Sequence, residues 1–484
     1  MLCHEAGSSE ALRAVLVRLG GQSMNIVIVG AGEVGLSVAQ TLTTEGHNVY
    51  VVERSQDRAE LAANIDVQVI TGNGARPQVL AKAGVVSGGD VDILIACTNK
   101  DEVNMLSCWI AHQAGVKRVI SRARNLEFTD SPQWADKLGI DLMISPERSI
   151  AREVLGLLAV NAATHTAELL DGRASLYAMP IADNSPLVGL ALKELRANFP
   201  DLAAVWVYID REGGGGVPNG DSVLKAGDLC YFVTFAEEAP KVQKIFQPLN
   251  TNTSGLKKLF VVGGGKLGTQ IVQAVKHDYS STQIRLIEKD TDRSSRLSEE
   301  LGEALILNAD GADRKLLAEE GIDDADGYVC ATDSDELNMI YCAIAHSMGA
   351  RKTIAIVKRK DYQDLAGVIP VDAVVDPNDA LAAQILRVVH YPKHTRAYSI
   401  IERINAEMLE VVMPDDNPLT GKTLAQIRLA KGVVIALVGR GQDVLIPTGT
   451  TKLEAGDHVI IFALTSMMPK AAKLFSGGGD KGED

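Results

Sequence analysis

Short apolar runs alternate with longer segments in which apolar residues recur at helical spacing between residues 24 and 145. Apolar runs of this length, bounded by turn residues, are typical of strands covered on both faces of a parallel sheet. The intervening segments, such as Glu33–Glu45 and Glu102–Ala114, are predicted to be helices. Strands that alternate with helices indicate a doubly wound α/β unit. The predicted strands are Asn25–Val29, Asn48–Val52, Gln68–Thr71, Ile93–Cys97 and Arg118–Arg122.

A second copy of this pattern follows about 230 residues later. The segment Met24-Asn-Ile-Val-Ile-Val-Gly-Ala-Gly-Glu-Val-Gly35 reappears as Lys257-Lys-Leu-Phe-Val-Val-Gly-Gly-Gly-Lys-Leu-Gly268. Further landmarks keep their order and nearly their spacing, so chance is a poor explanation and a tandem duplication is indicated. The matched pairs are Glu53 with Glu288, Thr98 with Thr332, Asn104 with Asn338, and the Leu-x-Ala-Gly-Asp segments that begin at Leu224 and Leu453.

Each copy divides again into a sheet unit, a linking helix region and a smaller unit with β character. We expect the residues before Met24 to be an unstructured extension upstream of the natural start, and the small polar residues at the C-terminus to be disordered. The predicted division is an extension at 1–23, a nucleotide-binding unit at 24–145, a linking helix region at 146–174, a smaller unit at 175–246, a linker at 247–256, a second nucleotide-binding unit at 257–377, a second linking helix region at 378–406, a second smaller unit at 407–475 and a tail at 476–484.

Composition narrows the classes of function. Of 484 residues, 46% are hydrophobic and 23% are charged, which excludes a largely disordered chain. A net charge of −14 and an aromatic content of 4% argue against general nucleic-acid binding. No two of the six cysteines are three residues apart, so we expect reduced thiols and no metal site. No apolar run reaches the roughly 20 residues that cross a bilayer, so no membrane span is expected.

The segment Gly30-Ala-Gly-Glu-Val-Gly35 is a GxGxxG loop that lies directly between a predicted strand and a predicted helix. In such a loop Gly30 permits the tight turn, Gly32 lets backbone amides approach a pyrophosphate, and Gly35 allows close packing of helix and strand. The helix N-terminus adds N–H groups and partial positive charge. Glu53 ends the second strand, where a carboxylate binds ribose hydroxyls and repels a 2′-phosphate. The pattern therefore predicts an NAD or adenine nucleotide site, with Ala31, Glu33 and Val34 as further loop contacts.

The second copy repeats this arrangement, with Lys266 in place of Glu33. Its predicted contacts are Gly263, Gly265, Lys266, Leu267, Gly268 and Glu288. The alternative is that one or both loops are packing turns with no ligand, and this alternative carries more weight for the second copy.

Further candidates follow from the geometry of doubly wound sheets, in which ligands bind outside the carboxyl ends of the strands. Asn73 and Asp310 follow the third strands, where an adenine ring would lie. The turns Thr98-Asn99 and Thr332-Asp333 follow the fourth strands. Arg122 ends the fifth strand and is expected to bind phosphate, with a surface ion pair as the alternative.

Two carboxylates in each copy stand at the start of a predicted helix. They are Asp101-Glu102 in the first copy and Asp335-Glu336 in the second. Paired carboxylates bind metals or perform acid–base chemistry, but acidic residues at a helix start also complement the helix dipole, and we prefer this second interpretation.

These motifs together resemble the RCK, or KTN, regulators of potassium conductance. The resemblance rests on the tandem GxGxxG loops with a terminal glutamate, the Thr-x-x-Asp-Glu-x-Asn-Met segments, and the smaller units with x-Pro-Leu-x-Gly and Leu-x-Ala-Gly-Asp. It covers nearly everything from Met24 to about Phe475. Two such units in one chain resemble the cytosolic regulatory subunits of bacterial Trk potassium uptake systems.

The resemblance implies that the sheet units are RCK-N (KTN) domains and that the smaller units are α+β RCK-C domains. It implies NAD(H) and ATP or ADP as ligands, and it implies a regulator rather than an enzyme. It further implies a homo-oligomeric ring, a tetramer, on the cytoplasmic face of the inner membrane, where the ring binds a Trk-type integral membrane potassium-translocating subunit. The second copy departs from the family's pattern at Gly264, Lys266, Asp333 and Ile356, so its ligand and occupancy stay open.

Two other classes of function compete with this interpretation. An NAD-dependent oxidoreductase would use the same loops, but it needs an acid or base facing the cofactor, and the smaller units offer no evident His–Asp pair or Tyr-x-x-x-Lys motif. A structural scaffold would leave its Rossmann units empty. Sustained NADH turnover would favour the enzyme, and melting that no nucleotide changes would favour the scaffold.

Overall fold

The computed structural model of the chain describes residues 23–44, 46–129, 131–170, 172–211, 213–248, 255–363, 365, 368–378, 382, 385–386, 389 and 395–475. The predicted extension (apart from residue 23), most of the linker between the copies, much of the second linking helix region and the tail lie outside the described residues. The chain forms two compact units. The first contains residues up to Pro146 together with 378–392, and the second contains 147–377 and the residues from Lys393 onward.

The first unit is built on a parallel sheet with the strand order β3-β2-β1-β4-β5-β6. The order reverses next to β1, so the predicted doubly wound sheet is confirmed. Two predicted strands differ in their ends by one residue, because β2 extends to Glu53 and β4 stops at Ala96. The strands are Asn25–Val29 (β1), Asn48–Glu53 (β2), Gln68–Thr71 (β3), Ile93–Ala96 (β4), Arg118–Arg122 (β5) and Leu142–Ile144 (β6). The helices are Glu33–Thr44 (α1), Gln56–Ala62 (α2), Pro77–Lys82 (α3), Asp101–Gln113 (α4), Leu126–Thr129 (α5) and Pro132–Leu138 (α6).

The positions of α1 and α4 follow from their apolar faces. Helix α1 buries Val34, Val38 and Leu42, which are four residues apart and therefore share one face. Helix α4 buries Met105 and Cys108 in a cluster with residues of β1 and β4. Both helices start where their preceding strands end, so their N-termini meet at the carboxyl edge of the sheet.

The second unit begins one residue into the long helix Pro146–Ala159 (α7) and continues into a smaller antiparallel sheet with the order β7-β8-β10-β9. This sheet includes β7, which lies in the segment that we expected to link the two units of the first copy. Its elements are His165–Leu169 (β7), Ala174–Pro180 (β8), Leu192–Asn198 (α8), Ala204–Asp210 (β9), Leu229–Phe235 (β10) and Ala239–Phe246 (α9).

A second parallel sheet repeats the first, with the order β13-β12-β11-β14-β15-β16. Its strands are Lys258–Val262 (β11), Gln283–Glu288 (β12), Leu305–Asn308 (β13), Gly327–Cys330 (β14), Thr353–Ile356 (β15) and Ala373–Val375 (β16). Its helices are Lys266–Asp278 (α10), Thr291–Glu300 (α11), Arg314–Glu319 (α12), Asp335–Ser347 (α13) and Lys360–Gln363 (α14), with a 3-10 turn at Ile322–Asp324.

The last sheet is antiparallel with the order β17-β18-β21-β19-β20. The two smaller sheets confirm the predicted β character of the units that follow each Rossmann sheet. The elements are Thr395–Ile401 (β17), Ala406–Val412 (β18), Val433–Arg440 (β19), Asp443–Leu445 (β20), His458–Leu464 (β21) and Met468–Phe475 (α15), with 3-10 turns at Glu402–Ile404 and Leu424–Gln426.

Helix α7 belongs to the first copy in sequence but packs against the sheet of the second copy. Leu158 lies so close to β14 that a Cβ at Gly327 would be 2.4 Å from its Cδ2 atom, and only glycine fits there. At the end of the helix, the buried ammonium of Lys352 donates to the carbonyl oxygens of Asn161, at 2.8 Å, and Ala163, at 2.5 Å. These donations satisfy backbone carbonyls of the segment that follows the helix, so the residue before β15 fixes the chain just beyond the helix end.

The two smaller sheets meet at a buried junction within the second unit. Leu170 is fully buried with a φ of 53°, and its amide donates to the buried carboxylate of Glu410 at 3.2 Å. The other oxygen of Glu410 lies 2.7 Å from Nδ1 of His458. A Cβ at Gly439 would be 3.0 Å from the Leu170 side chain. The left-handed backbone of Leu170 is therefore held by contacts with the second smaller sheet.

Across the part of the chain that the structure describes, no helix is both long enough and apolar enough to cross a membrane.

Candidate functional site

The first glycine loop is shaped by close backbone contacts. Gly30 has a φ of 110°, and a Cβ there would lie 3.1 Å from the amide nitrogen of Thr98. A Cβ at Gly35 would lie 2.0 Å from the carbonyl oxygen of Gly30. At Gly32, by contrast, the nearest atom would be 3.8 Å away. Gly30 and Gly35 are thus required by packing, whereas Gly32 leaves the loop open on the side where a ligand would approach.

Glu53 ties the glycine loop to the end of β2. One carboxylate oxygen accepts from the amide of Ala31 at 2.7 Å, and the other accepts from the amide of Ser55 at 2.8 Å. The side chain therefore lies beside the loop. Each carboxylate oxygen keeps a further lone pair that can accept another hydrogen bond.

The turn after β4 is fixed by Asn104, a fully buried residue of α4. Its side-chain oxygen accepts from the amide of Thr98 at 2.9 Å and from the Thr98 hydroxyl at 2.6 Å. Its amide group donates to the carbonyl oxygens of Thr98, at 3.1 Å, and Arg122, at 3.0 Å. One asparagine thus holds together the carboxyl ends of β4, which neighbours β1 in the sheet, and β5, which lies one strand further.

Arg122 is placed at the same edge as the glycine loop. Burial raises the pKa of the Cys97 thiol to about 12, while the positive charge of Arg122 acts in the opposite direction. Cys97 lies directly beneath the loop, because a Cβ at Gly35 would be 3.2 Å from its sulfur. The guanidinium is therefore within electrostatic reach of the loop, and the protonated thiol is a packing group rather than a nucleophile.

The other predicted residues of the first copy lie around this edge. Asn73 follows β3 and accepts from the amide of Ala75 at 3.0 Å, which forms a turn. Asn99 is exposed beyond Thr98, and Val34 is buried at the start of α1. Glu33 is exposed at the helix start, and its carboxylate accepts from the side-chain amide of Asn378 at 3.3 Å.

The second glycine loop has the same backbone construction. Gly263 has a φ of 97°, and a Cβ at Gly268 would lie 1.9 Å from its carbonyl oxygen. A Cβ at Gly265 would have no atom within 4 Å. Glu288 accepts from the amide of Gly264 at 2.8 Å and from the amide of Asp290 at 2.9 Å. The carboxylate therefore ties the loop to the end of β12, as Glu53 does in the first copy.

The departure at Gly264 has a steric explanation. A Cβ at Gly264 would lie 2.3 Å from the side chain of Leu297 in α11. The residues at the matching positions of the first copy are Ala31 and Ala62. The first copy has the larger residue in the loop and the smaller one in the helix, and the second copy has the reverse, so Gly264 fits the bulk of Leu297.

The remaining candidates of the second copy include one preformed ion pair. Asp310 follows β13 and lies 3.2 Å from the ammonium of Lys289. The amide of Ala312, together with Lys289, holds the pKa of Asp310 below its usual value. Thr332 is fixed as Thr98 is, with its hydroxyl 2.6 Å from the side-chain oxygen of Asn338. Of the other candidates, Lys266 and Asp333 are exposed and Leu267 is half-buried. Ile356 is buried, and its carbonyl oxygen accepts from the side-chain amide of Asn338 at 2.7 Å.

The carboxylates at the helix starts have a structural role. Asp101 accepts from the amides of Arg124, at 2.9 Å, and Asn125, at 2.8 Å. Asp335 accepts from the amides of Lys358, at 3.0 Å, and Arg359, at 2.8 Å. Each one orders the loop after the fifth strand of its sheet. No cluster of three or more metal-ligating side chains occurs among the residues with described positions.

Two pairs of residues at the sites were not predicted from the sequence. Asn104 and Asn338 were visible in the repeated segment, but only their contacts reveal that each joins two strand ends. Arg58 and Arg293 follow Glu53 and Glu288 by five residues in both copies, and both lie beside a glycine loop. Their equal spacing from the glutamates was the signal that could have identified them.

Comparisons with known proteins agree with this arrangement. The TrkA-N domain family matches residues 26–146 and 259–377, and the TrkA-C domain family matches residues 408–476. The Trk system potassium uptake protein TrkA of Azorhizobium caulinodans is 31% identical over 459 residues, which covers 93% of this chain and 98% of that protein. TrkA homolog 1 of Methanosarcina mazei is 32% identical over 461 residues, with 93% and 100% covered.

Solved structures share the fold at lower sequence identity. The GsuK channel superimposes with a TM-score of 0.60 at 19% identity, covering 94% of this chain and 80% of that one. The GsuK channel bound to NAD gives a TM-score of 0.59 at 18% identity, with 95% and 80% covered. Since two relatives above 30% identity align over almost their whole length, the chain belongs to the TrkA family of Trk system potassium uptake proteins.

Proposed function

We propose that this chain is the nucleotide-sensing regulatory subunit of a Trk-type potassium uptake system. The observation that carries the proposal is the duplicated loop at the carboxyl edge of each parallel sheet. In both copies a glutamate holds the loop to the neighbouring strand, while Gly32 and Gly265 leave its outer side open. The proposal is supported by relatives that are named Trk system potassium uptake proteins and align with more than nine-tenths of the chain.

The ligand that fits such a loop is an adenine nucleotide or NAD(H). The backbone amides and the N-termini of α1 and α10 suit a diphosphate, and the glutamates suit ribose hydroxyls. A carboxylate at Glu53 or Glu288 disfavours a 2′-phosphate, so NAD is preferred to NADP. A similarly folded channel is described as bound to NAD. ADP and ATP are included in the proposal because they carry the same adenosine and diphosphate groups.

The proposed contacts extend from each loop along the carboxyl edge of its sheet. In the first copy they are Gly30, Ala31, Gly32, Glu33, Val34, Gly35, Glu53, Asn73, Thr98, Asn99 and Arg122. In the second copy they are Gly263, Gly265, Lys266, Leu267, Gly268, Glu288, Asp310, Thr332 and Asp333.

The regulatory step is a shift between arrangements of an oligomeric ring, a tetramer, that binds the cytoplasmic face of a membrane-embedded potassium-translocating subunit. A nucleotide shifts such an equilibrium only by its difference in affinity for the two arrangements. A shift from 1:99 to 99:1 needs about 5.5 kcal/mol. Several sites in one ring share this requirement, so each needs only a modest preference.

Titration calorimetry of the full chain with NADH, NAD, ADP and ATP tests the binding step. Gly32→Asp and Gly265→Asp add a carboxylate where the diphosphate would lie, and each is expected to remove one of two sites. Gly302→Asp is the matched control, because Gly302 is exposed and a Cβ there meets no atom within 4 Å. If both loop variants bound every nucleotide as the wild type does, the proposed sites would be wrong.

Potassium flux tests the regulatory step. The chain is expected to co-purify with a membrane subunit and to change the potassium flux of reconstituted vesicles when nucleotide is added. The Gly32→Asp and Gly265→Asp double variant should still co-purify, but its flux should not respond to nucleotide. A flux that responds equally in the double variant would refute nucleotide control through these loops.

A further inference from the structure

The guanidinium of Arg58 lies beside the open side of the first glycine loop. A Cβ at Gly32 would be 3.8 Å from its Nη1 atom, and no other atom would be within 4 Å of that Cβ. Arg58 is exposed on α2, and within the described residues it makes no hydrogen bond or ion pair. An unpaired cation thus stands at the place where the loop amides face a ligand.

The counterpart in the second copy, Arg293, is already engaged. Its Nε atom donates to the carbonyl oxygen of Gly264 at 2.5 Å, and the same atom lies 3.8 Å from the carboxylate of Glu288. The spacing of 235 residues between Arg58 and Arg293 equals the spacing between Glu53 and Glu288. The arginine and the glutamate are therefore one repeated pair. In the second copy the arginine contacts the glycine loop and lies near the glutamate, whereas in the first copy the described residues show no such contact.

Two carboxylates lie at the first glycine loop. The carboxylates of Glu53 and Glu33 both lie at this loop, and both repel an anionic ligand. The second loop carries Lys266 at the position of Glu33. Arg58 thus supplies to the first loop the positive charge that Lys266 supplies to the second.

We propose that Arg58 is a phosphate-binding residue of the first nucleotide site. Arg293 is its counterpart in the second site, where it is hydrogen-bonded to the loop itself. The guanidinium closes over Gly32 and donates two N–H groups to phosphate oxygens held on the loop amides, a geometry for which arginine is suited. In the second copy the ligand's phosphate replaces the carbonyl oxygen of Gly264 as the acceptor. This inference rests on the proposed function and assigns to it the recognition of phosphate charge.

The test compares a ligand with phosphates and one without them. ADP binding is measured by titration calorimetry and adenosine binding by ligand-observed NMR, both with the full chain carrying Gly265→Asp so that the first site reports alone. Arg58→Gln is expected to weaken ADP binding roughly 10- to 100-fold, because charge-assisted hydrogen bonds to phosphate are lost, and to leave adenosine binding unchanged. Arg58→Lys, which keeps the charge but not the two-pronged donation, is expected to give an intermediate loss.

Lys82→Gln is the matched control for charge. Lys82 is exposed in the last turn of α3, and the helix runs away from the carboxyl edge, so the variant loses one positive charge far from the loop. It should leave both affinities unchanged. Unchanged ADP affinity in Arg58→Gln, or an equal loss of ADP and adenosine, would overturn the inference. Absence of ADP binding in the parent chain would instead overturn the proposed function.

Discussion

Replacement of Lys352 by methionine is expected to make the stability of the second unit depend less on pH. The side chain is 1% exposed, and its ammonium donates to two backbone carbonyls that follow α7. Within the described residues no carboxylate lies within 4 Å of it, although the charge of Asp372 acts at longer range. Lys352 is therefore a buried cation held by dipoles and not by a counter-ion.

The cost of this arrangement follows from the pKa of Lys352. Burial lowers that pKa from 10.5 to about 8. At 1.36 kcal/mol for each pKa unit, the buried ammonium costs about 3 kcal/mol of folding free energy at neutral pH. Methionine removes this cost but leaves the carbonyls of Asn161 and Ala163 without their donor, at about 1–3 kcal/mol. The two effects offset each other near pH 7, so we expect the wild type and the variant to have similar stability there.

The sign of the pH dependence is fixed by the two pKa values. The pKa is lower in the folded chain than in the unfolded chain, so the unfolded chain binds more protons between pH 8 and 10.5. The contribution of Lys352 to stability is therefore complete above pH 10.5 and is lost as the pH falls to about 8. From pH 7 to pH 10 the wild type should gain about 2–3 kcal/mol relative to Lys352→Met.

Thermal unfolding at pH 7, 8, 9 and 10 measures this difference. The melting temperature of the wild type minus that of Lys352→Met should grow by on the order of 5 °C over this range. Lys257→Met is the control, because Lys257 is exposed beside the start of β11, and its difference from the wild type should stay constant. A constant difference for Lys352→Met as well would refute the assigned cost of the buried ammonium.

Three further predictions concern single contacts. Gly35→Ala should lower the melting temperature, because the added Cβ would lie 2.0 Å from the carbonyl oxygen of Gly30. Gly32→Ala should leave the melting temperature unchanged. Equal losses in the two variants would contradict the conclusion that packing requires Gly35 but not Gly32. Asn104→Ala should cost about 2–4 kcal/mol in denaturant unfolding, because buried backbone groups lose their partners, and a loss below 0.5 kcal/mol would refute this. Gly439→Ala should cost about 1–3 kcal/mol through its contact with Leu170, and hydrogen exchange should localise the loosening to that junction.

The duplicated α/β fold is predictable from the sequence because the apolar runs are bounded by turn residues that appear twice. The strands Asn25–Val29, Gln68–Thr71 and Arg118–Arg122 have the predicted ends. The strand at His165–Leu169 lies outside the predicted smaller unit, since its mixed polar composition does not distinguish an edge strand from a connection. The spacing of apolar residues shows which residues are buried, but it does not show which strand or helix covers them.

Residues of the candidate site can be proposed from sequence when their type and position in a motif suggest one role. They cannot be explained from sequence when the reason for their type is a neighbour that is distant along the chain. The glycines of the loops and Glu53 belong to the first kind. Gly264 belongs to the second, because its absent side chain is explained only by Leu297, which lies 33 positions further along the chain. In the sequence, Arg58 cannot be distinguished from any other exposed arginine on a helix. Only its distance from Gly32 in the structure identifies it.

The contact between Leu158 and Gly327 has a consequence for how such a chain diverges. In an assembly of identical one-copy subunits, both sides of an interface are encoded by the same codons, so every change occurs twice. Covalent fusion of the two copies removes this restraint, and the position that matches Gly327 in the first copy is Ile93. The repeat in the gene is therefore not the unit of folding. A chain cut in the linker would leave the apolar face of α7 without the sheet that covers it, and the two halves would have to associate to recover it.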